Sequence, residues 1–139
     1  MQKRPFARDV LRDVARGLGE AVTRARRAGI PRTRIVLDPG IGFGKSVEQN
    51  CELLARLAGL ARLGYPLLVG PSRKSFLGAL LEGAAEEGRM WGTAAAVTAA
   101  ILGGAHVVRV HDVAEMAQVA RVADAIAGQR QAGEKTRKR

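Results

Sequence analysis

Three short apolar segments limit the folds that this sequence can adopt. They are residues 35–37, 67–69 and 106–110, and stretches long enough for a helix separate them. Each segment is rich in Val, Ile or Leu and lacks the alternation of apolar and polar residues that marks a strand with one face in water. Such runs are typical of a parallel sheet whose two faces are both covered. We therefore expect an α/β fold with parallel strands and right-handed crossovers.

Amphipathic patterns occupy the stretches around these strands, with apolar residues at three- and four-residue spacing. They cover residues 8–28, 53–63, 94–102 and 113–126. The predicted order is α-βα-βα-βα, and a complete (β/α)8 barrel typically needs about 250 residues. The chain has 139 residues, so we expect part of a barrel over residues 1–128 and a basic, disordered tail over residues 129–139.

Composition narrows the classes of protein further. A single cysteine, Cys51, and two histidines exclude an intramolecular disulfide and a Cys/His zinc site. No segment approaches the roughly 20 apolar residues of a membrane span, so we predict a cytoplasmic protein without a membrane partner. The net charge is +10, but the basic residues gather at the two ends and aromatic residues make up 4% of the chain. Nucleic acid is therefore not the expected partner.

A cluster of polar side chains follows each predicted strand. The clusters are DPGIGFGK at residues 38–45, SRKS at residues 72–75 and RVHD at residues 109–112. The carboxyl ends of parallel strands lie at one edge of a sheet, and α/β proteins bind their ligands there. The three clusters are thus predicted to share one face and to form one ligand site.

Known nucleotide-binding and hydrolase motifs do not fit these clusters. Pro39 stands where a phosphate-binding loop needs glycine, and Lys45 stands where a dinucleotide fingerprint needs it. A nucleophile elbow would require glycine at Lys74. What remains is a carboxylate, several cations, hydroxyls and an aromatic ring, a set that suits a flat polar heterocycle beside an anion.

Three of the side chains have a ligand role and a structural alternative. Asp38 can accept paired hydrogen bonds from an amino-imine edge, or it can open the turn before the proline. Arg109 and His111 point to the same side of their strand and can hold one anion, or they can form a surface ion pair with Asp112. We favour the ligand role for these residues, because a strand covered on both faces leaves little room for a solvated arginine. His106 faces the other way and is predicted to be structural.

The remaining candidates lie in the first two clusters. Lys74 can neutralise a leaving group or lie across a ring, and Arg73 can orient a carboxylate through a two-pronged contact. For Lys45, a contact with the substrate and a role in the local structure are equally compatible with the sequence. The hydroxyl and aromatic candidates are Ser72, Ser75 and Phe43.

The sequence blocks resemble the dihydropteroate synthase family. The resemblance rests on DPGIGFGK, LVGPSRKSFLG at residues 68–78, Arg89 with GTAAA, and VVRVHDV at residues 107–113, in the order and spacing of that family. It covers residues 33–127. The resemblance implies the C-terminal part of a (β/α)8 barrel and an enzyme of folate biosynthesis. Such enzymes join 6-hydroxymethyl-7,8-dihydropterin pyrophosphate to para-aminobenzoate, release pyrophosphate with Mg2+, and are the target of sulfonamides.

The resemblance also implies a role for each matching residue. Asp38 would bind the pterin, Phe43 would pack near its ring, and Lys74 would contact both the pterin and the aminobenzoate site. Ser75 would contact the second substrate. Arg109 would stack on the pterin and hold the pyrophosphate together with His111.

The family's first half, which carries other pterin and metal ligands, has no counterpart in these blocks. We therefore expect no metal ligands in this chain, and a partner that is either a complementing N-terminal half or a second copy in a homodimer. The alternative reading is a non-catalytic module of the same barrel that binds pterins or anions or serves in assembly.

Overall fold

The computed structural model of this chain describes residues 9–137, and for residues 87 and 130–137 it describes the backbone. In chain order the elements are α1 (Val10–Arg27), α2 (Val47–Ala55), β1 (Leu68–Val69), α3 (Ser75–Leu80), α4 (Met90–Leu102), β2 (Val107–Val108) and α5 (Val113–Arg137). Short 3-10 helices cover Arg32–Arg34, Leu57–Leu63 and Glu86–Arg89.

The three apolar segments lie side by side and run parallel, as predicted. Leu68 of β1 pairs with Val107 of β2, and Leu37 forms a parallel bridge to Leu67 on the other side of β1. The Leu68 amide donates to the carbonyl of Leu37 at 2.8 Å. The first segment is thus reduced from a predicted strand to a single bridge, because within the described residues only β1 lies beside it. The fold class of parallel α/β units is confirmed at this level.

The two faces of the sheet differ in exposure, because successive side chains of a strand point to opposite faces. Leu37, Leu67 and Val69 are almost completely buried, whereas Val36 is 51% exposed and Val107 is 45% exposed. The prediction that both faces are covered is therefore wrong for the described residues. The apolar runs are compatible with either situation, since a sequence of Val and Leu does not reveal which element lies against it.

The helices pack on the covered face. The main core combines the sheet with α1, α2, the 3-10 helix Leu57–Leu63 and parts of α3 and α4, and it includes Val10, Leu53, Leu57, Leu60 and Phe76. A smaller cluster joins α4 to α5 through Val97, Ile101, Met116 and Ala123. Ile41 of the segment 38–45 is buried in the main core, and Val110 of the segment 109–112 packs against the smaller cluster.

Local signals explain where the helices begin. The Asp9 side chain accepts a hydrogen bond from the Arg12 amide and caps α1. Ser46 and Gln49 form a reciprocal capping box at α2. Asp and Ser are both residue types that are strongly preferred at the N-cap position.

Several element boundaries differ from the sequence prediction. Residues 53–63 were expected as one helix, but the structure divides them between α2 and the 3-10 helix that follows. Helix α3 was not predicted. Helix α5 extends to Arg137, so the predicted boundary at residue 128 falls inside it and residues 129–137 are helical in place of the expected disorder. Residues 138 and 139 lie outside the described part of the chain.

Within residues 9–137, no helix combines the length and the apolar character needed to cross a bilayer.

Candidate functional site

Side chains extend the pairing of the two strands beyond their carboxyl ends. Leu68 pairs with Val107, and the loop residues four positions later also meet: the Ser72 hydroxyl oxygen accepts from the His111 amide at 3.1 Å. The next residue, Arg73, donates two hydrogen bonds to the Asp112 carboxylate. Each pair is 39 residues apart in the sequence, so the register of the sheet continues into the two loops. The SRKS and RVHD clusters are thereby fixed against each other.

Arg73 is held by both its side chain and its backbone. Its guanidinium contacts Asp112 Oδ1 at 2.5 Å and Oδ2 at 3.2 Å, its amide donates to the Thr93 hydroxyl at 3.1 Å, and its carbonyl accepts from Arg89 at 3.0 Å. These contacts support a left-handed backbone with φ of 57°, which is unfavourable for a residue with a side chain. The two-pronged contact that the sequence suggested is therefore present, but the carboxylate belongs to the chain itself.

The arginine also lowers the pKa of its carboxylate partner. Hydrogen bonds from Arg73 are the main cause of the lowered pKa of Asp112, with burial acting in the opposite direction. A carboxylate whose pKa is lower in the folded state stabilises the fold above its unfolded pKa of 3.8. That stabilisation is lost as the pH falls below this value and passes through the folded pKa.

We therefore expect the Asp112→Asn variant to have a flatter acid dependence of stability than the wild type. Urea unfolding measured at intervals between pH 5 and about pH 2.5 should show a smaller loss of unfolding free energy for the variant over this window. Asp124→Asn, which removes an exposed carboxylate from α5, is the matched control and should follow the wild type. Parallel curves for wild type and Asp112→Asn would contradict the assigned ion pair.

The glycine loop at residues 38–45 is held by hydrogen bonds within the loop and to the adjacent helix α2. Asp38 Oδ1 accepts from the Gly40 amide at 2.8 Å, and the buried Asn50 accepts from the Gly42 amide at 2.7 Å. Gly42 has φ of 81°, a conformation that favours glycine. Lys45 Nζ donates to the carbonyls of Gly40 and Phe43 at 2.7 and 3.1 Å. Of the two roles left open for Lys45, the structure shows the local one.

Burial and charge act in opposite directions on Lys45. Desolvation lowers its pKa, and the nearby Asp38 partly offsets this effect. Asp38 itself is exposed in the described structure. Its hydrogen bond to Gly40 is the turn role that the sequence offered as the alternative.

A cation and an aromatic ring connect the glycine loop to the SRKS cluster. Lys74 Nζ lies 3.8 Å from the centre of the Phe43 ring, a distance at which the ring attracts a positive charge. Phe43 is 56% exposed, so one face of the pair is open to solvent. The Lys74 stem also lies against Gly42, where an added Cβ would be 2.7 Å from Lys74 Cδ. The first two clusters are thus in direct contact, as predicted.

A cleft of about 230 Å3 opens at the carboxyl ends of β1 and β2. It is lined by Gly70, Ser72, Arg73, Lys74, Glu86, Arg109, Val110 and His111. Candidates from the second and third clusters therefore share one cavity, whereas Asp38, Phe43, Lys45 and Ser75 are not among its lining residues. Arg73, which lines the cleft, forms an ion pair with Asp112. Among the described side chains, Arg109 forms no ion pair with a carboxylate. The cavity carries more positive than negative groups and suits an anion.

Some residues that shape the cleft were given no role by the sequence reasoning. Glu86 lines the cavity, and Arg89 fixes the segment that carries it by donating to the carbonyls of Ala84 and Arg73, both at 3.0 Å. Asp112 was considered as a partner for Arg109 or His111, and the structure pairs it with Arg73. The 39-residue offset between the paired strands also separates Arg73 from Asp112, and this offset is known only once the strands are aligned.

Two adjacent parallel strands with a cationic cleft at their carboxyl ends define an α/β protein of the kind that holds an anionic ligand at strand ends. The chain belongs to the pterin-binding enzyme family, because the family described as "Pterin binding enzyme" matches residues 1–111. The resemblance seen in the sequence blocks is thereby confirmed.

Relatives of known name lie within the same group. The chain is 51% identical over 118 residues to the dihydropteroate synthase of Synechocystis, covering 85% of this chain and 41% of that protein. The structure is similar to the dihydropteroate synthase of Clostridium difficile in the presence of pteroic acid, with a TM-score of 0.86 and 40% identity. That match covers 91% of this chain and 48% of the other.

The Xanthomonas albilineans dihydropteroate synthase with 4-aminobenzoic acid is also similar, with a TM-score of 0.84 and 43% identity over 88% of this chain and 45% of that one. The chain thus spans less than half the length of each of these three relatives.

Proposed function

We propose that this chain is the part of a dihydropteroate synthase that supplies the strand ends for the pyrophosphate and for one side of the pterin. The reaction would join 6-hydroxymethyl-7,8-dihydropterin pyrophosphate to para-aminobenzoate, giving 7,8-dihydropteroate and pyrophosphate. The observation that carries the proposal is that Lys74, Arg109 and His111 line the same cleft at the carboxyl ends of adjacent parallel strands.

In this reaction the protein would contribute binding and charge stabilisation rather than covalent catalysis. The bond between the pterin methylene carbon and the pyrophosphate oxygen breaks, the aminobenzoate nitrogen bonds to that carbon, and the nitrogen loses a proton. Negative charge grows on the departing pyrophosphate, and fixed cations stabilise it most where water is excluded. Arg109 and His111 would hold this anion, because a guanidinium and an imidazole N–H can both donate to phosphate oxygens.

The pterin and the aminobenzoate would occupy the side of the cleft toward the glycine loop. A carboxylate accepts more than one hydrogen bond, so the contact with Gly40 leaves Asp38 able to accept from a pterin amino-imine edge. Lys74 and Phe43 form an open cation–ring pair that can pack against a flat heterocycle. Ser75, at the first position of α3, would contact the second substrate.

The uncovered sheet face would be part of the interior of a (β/α)8 barrel. Its exposed Val36 and Val107 are apolar, and Asp38 and Arg109 follow two positions later on the same face. Preceding barrel strands, in the same or in another polypeptide, would cover this face and complete the site. A homodimer is a further part of the proposal, since an apolar groove between α4 and α5 exposes Val122 and Ile126.

The Mg2+ that the family resemblance implies does not find a set of ligands here. Magnesium prefers carboxylate and phosphate oxygens in octahedral geometry. Among the described residues no group of three or more His, Cys, Asp or Glu side chains could hold a metal ion. Near the cleft, Asp112 is already paired with Arg73. These residues do not fit a metal site of their own, and none of the steps assigned to this chain passes through the ion.

Two other parts of the proposal rest on the family and on composition. A cytoplasmic location agrees with Cys51 being a free thiol, since reducing compartments keep cysteines in that state. Inhibition by sulfonamides would follow from competition with para-aminobenzoate.

Complementation tests the proposed activity. The chain is combined with the N-terminal half of the Synechocystis enzyme, and pyrophosphate release is measured with both substrates present. We expect release that needs both polypeptides and both substrates, because each would supply part of one site. The same mixture containing the Arg109→Ala chain is the control and should release far less. A mixture that binds pyrophosphate but never turns over would favour the non-catalytic binding module instead.

A further inference from the structure

Ser72 is buried between the ends of the two strands and faces His111. The residue is 3% exposed. Its hydroxyl oxygen lies 2.9 Å from His111 Nδ1 and 3.1 Å from the His111 amide nitrogen. One hydroxyl therefore contacts the same histidine twice. This arrangement restrains both the backbone and the ring of a residue that lines the cleft.

The donors and acceptors of this arrangement can be assigned. The His111 amide can only donate, so the Ser72 oxygen accepts from it. The same oxygen could also accept from Nδ1–H, but the buried hydroxyl hydrogen would then have no acceptor among the described residues. Donation from the hydroxyl to the ring nitrogen Nδ1 satisfies every group of the arrangement. A neutral imidazole that accepts at Nδ1 carries its remaining proton on Nε2. The free end of the ring thus offers an N–H group.

We propose that Ser72 is a positioning residue that holds His111 in the Nε2–H form, so that the neutral imidazole donates a hydrogen bond to an anion in the cleft. The sequence placed Ser72 among candidates for direct substrate contact, and the geometry gives it an indirect role. The identity of the anion as pyrophosphate rests on the function proposed above, but the state of the ring does not.

The neighbouring residue pair supports this role. Arg73 and Asp112 join the two loops one position further along the same register, and this second contact restrains the Ser72–His111 pair. A loop held at two successive pairs presents the ring in one orientation, which reduces the ordering that ligand binding would otherwise require.

His106 provides an internal reference. Its Nδ1 accepts from the Leu67 amide at 3.2 Å, so its neutral form also carries the proton on Nε2. This contact does not involve Ser72. Both histidines of the chain are therefore expected in the Nε2–H form when neutral, and only His111 contacts Ser72.

The test is 15N NMR of the full chain with labelled histidine, at a pH high enough that both rings are neutral and without ligand. We expect Nε2–H for both rings in the wild type. In Ser72→Ala, a measurable Nδ1–H population should appear at His111, and His106 should remain unchanged. Ser72→Thr keeps the hydroxyl and should restore the wild-type spectrum. Wild-type His111 in the Nδ1–H form would overturn the proposal, whatever the variants do.

Titration with inorganic pyrophosphate then connects the ring to binding. Ser72→Ala should weaken pyrophosphate binding about 3- to 10-fold, which corresponds to one ordinary hydrogen bond, and Ser72→Thr should recover most of the loss. An unchanged His111 spectrum together with unchanged affinity in Ser72→Ala would refute the positioning role. If the wild type does not bind pyrophosphate at all, the proposed function fails, while the NMR result still decides the role of Ser72.

Discussion

Arg109→Ala is expected to weaken inorganic pyrophosphate binding by about 10- to 100-fold, the range for removing a charge-assisted hydrogen-bonding group. Arg109 lines the cleft, and the carboxylate of Asp112 is paired with Arg73 rather than with it. Its guanidinium is therefore available to a ligand. Gly70 leaves space beside it, since an added Cβ there would lie 3.7 Å from Arg109 Cβ. Isothermal titration calorimetry at fixed ionic strength measures the change.

Arg34→Ala is the matched control for this prediction. Arg34 is exposed at the end of the 3-10 helix Arg32–Arg34 and does not line the cleft. Both substitutions remove one positive charge, so the net charge of the chain falls equally in both. We expect less than a 2-fold loss for Arg34→Ala, because exposed charges act weakly at physiological salt. Equal losses in the two variants would mean that pyrophosphate responds to net charge alone and would remove the site role of Arg109.

The convergence of the polar clusters could be predicted because it follows from sheet geometry. Once residues 35–37, 67–69 and 106–110 are recognised as parallel strands, their carboxyl ends must meet at one edge. The placement of Lys74, Arg109 and His111 in one cleft needed no further information. The contact between Phe43 and Lys74 is compatible with this geometry, which brings the two clusters together but does not specify the pair.

The choice of contacts inside the site could not be predicted, because it depends on the register between strands. From the sequence, Arg109 and His111 were the partners considered for Asp112, because they are its neighbours along the chain, and the observed partner Arg73 was not among them. The 39-residue offset of the sheet brings Arg73 opposite the carboxylate, and this offset is set by packing that no local pattern reveals.

Helix α3 was missed for a local reason. It has six residues, includes Gly78, and begins after Lys74 without a side-chain cap. Short helices of this kind depend on tertiary packing rather than on propensity, so their sequences carry little signal. Phe76 and Leu77 of α3 are buried in the main core, and this burial supplies the stability that the local sequence lacks.

Leu53→Ala is expected to lower the free energy of unfolding by about 2–5 kcal/mol, the usual range for removing a fully buried leucine side chain. Leu53 in α2 is 0% exposed and belongs to the main core beneath the sheet. A loss of this size is a large share of the stability of a small domain, which is about 5–15 kcal/mol. Urea unfolding followed by circular dichroism measures it.

Leu80→Ala removes the same atoms from a side chain that is 55% exposed, and it should change the unfolding free energy by less than about 0.5 kcal/mol. The comparison has a functional consequence, because α2 also carries Asn50, which holds the glycine loop at Gly42. Packing of α2 on the sheet thus supports the loop that presents Asp38 and Phe43. If the two leucine variants lose the same stability, α2 is not packed as described, and the position of the glycine loop beside Lys74 loses its physical basis.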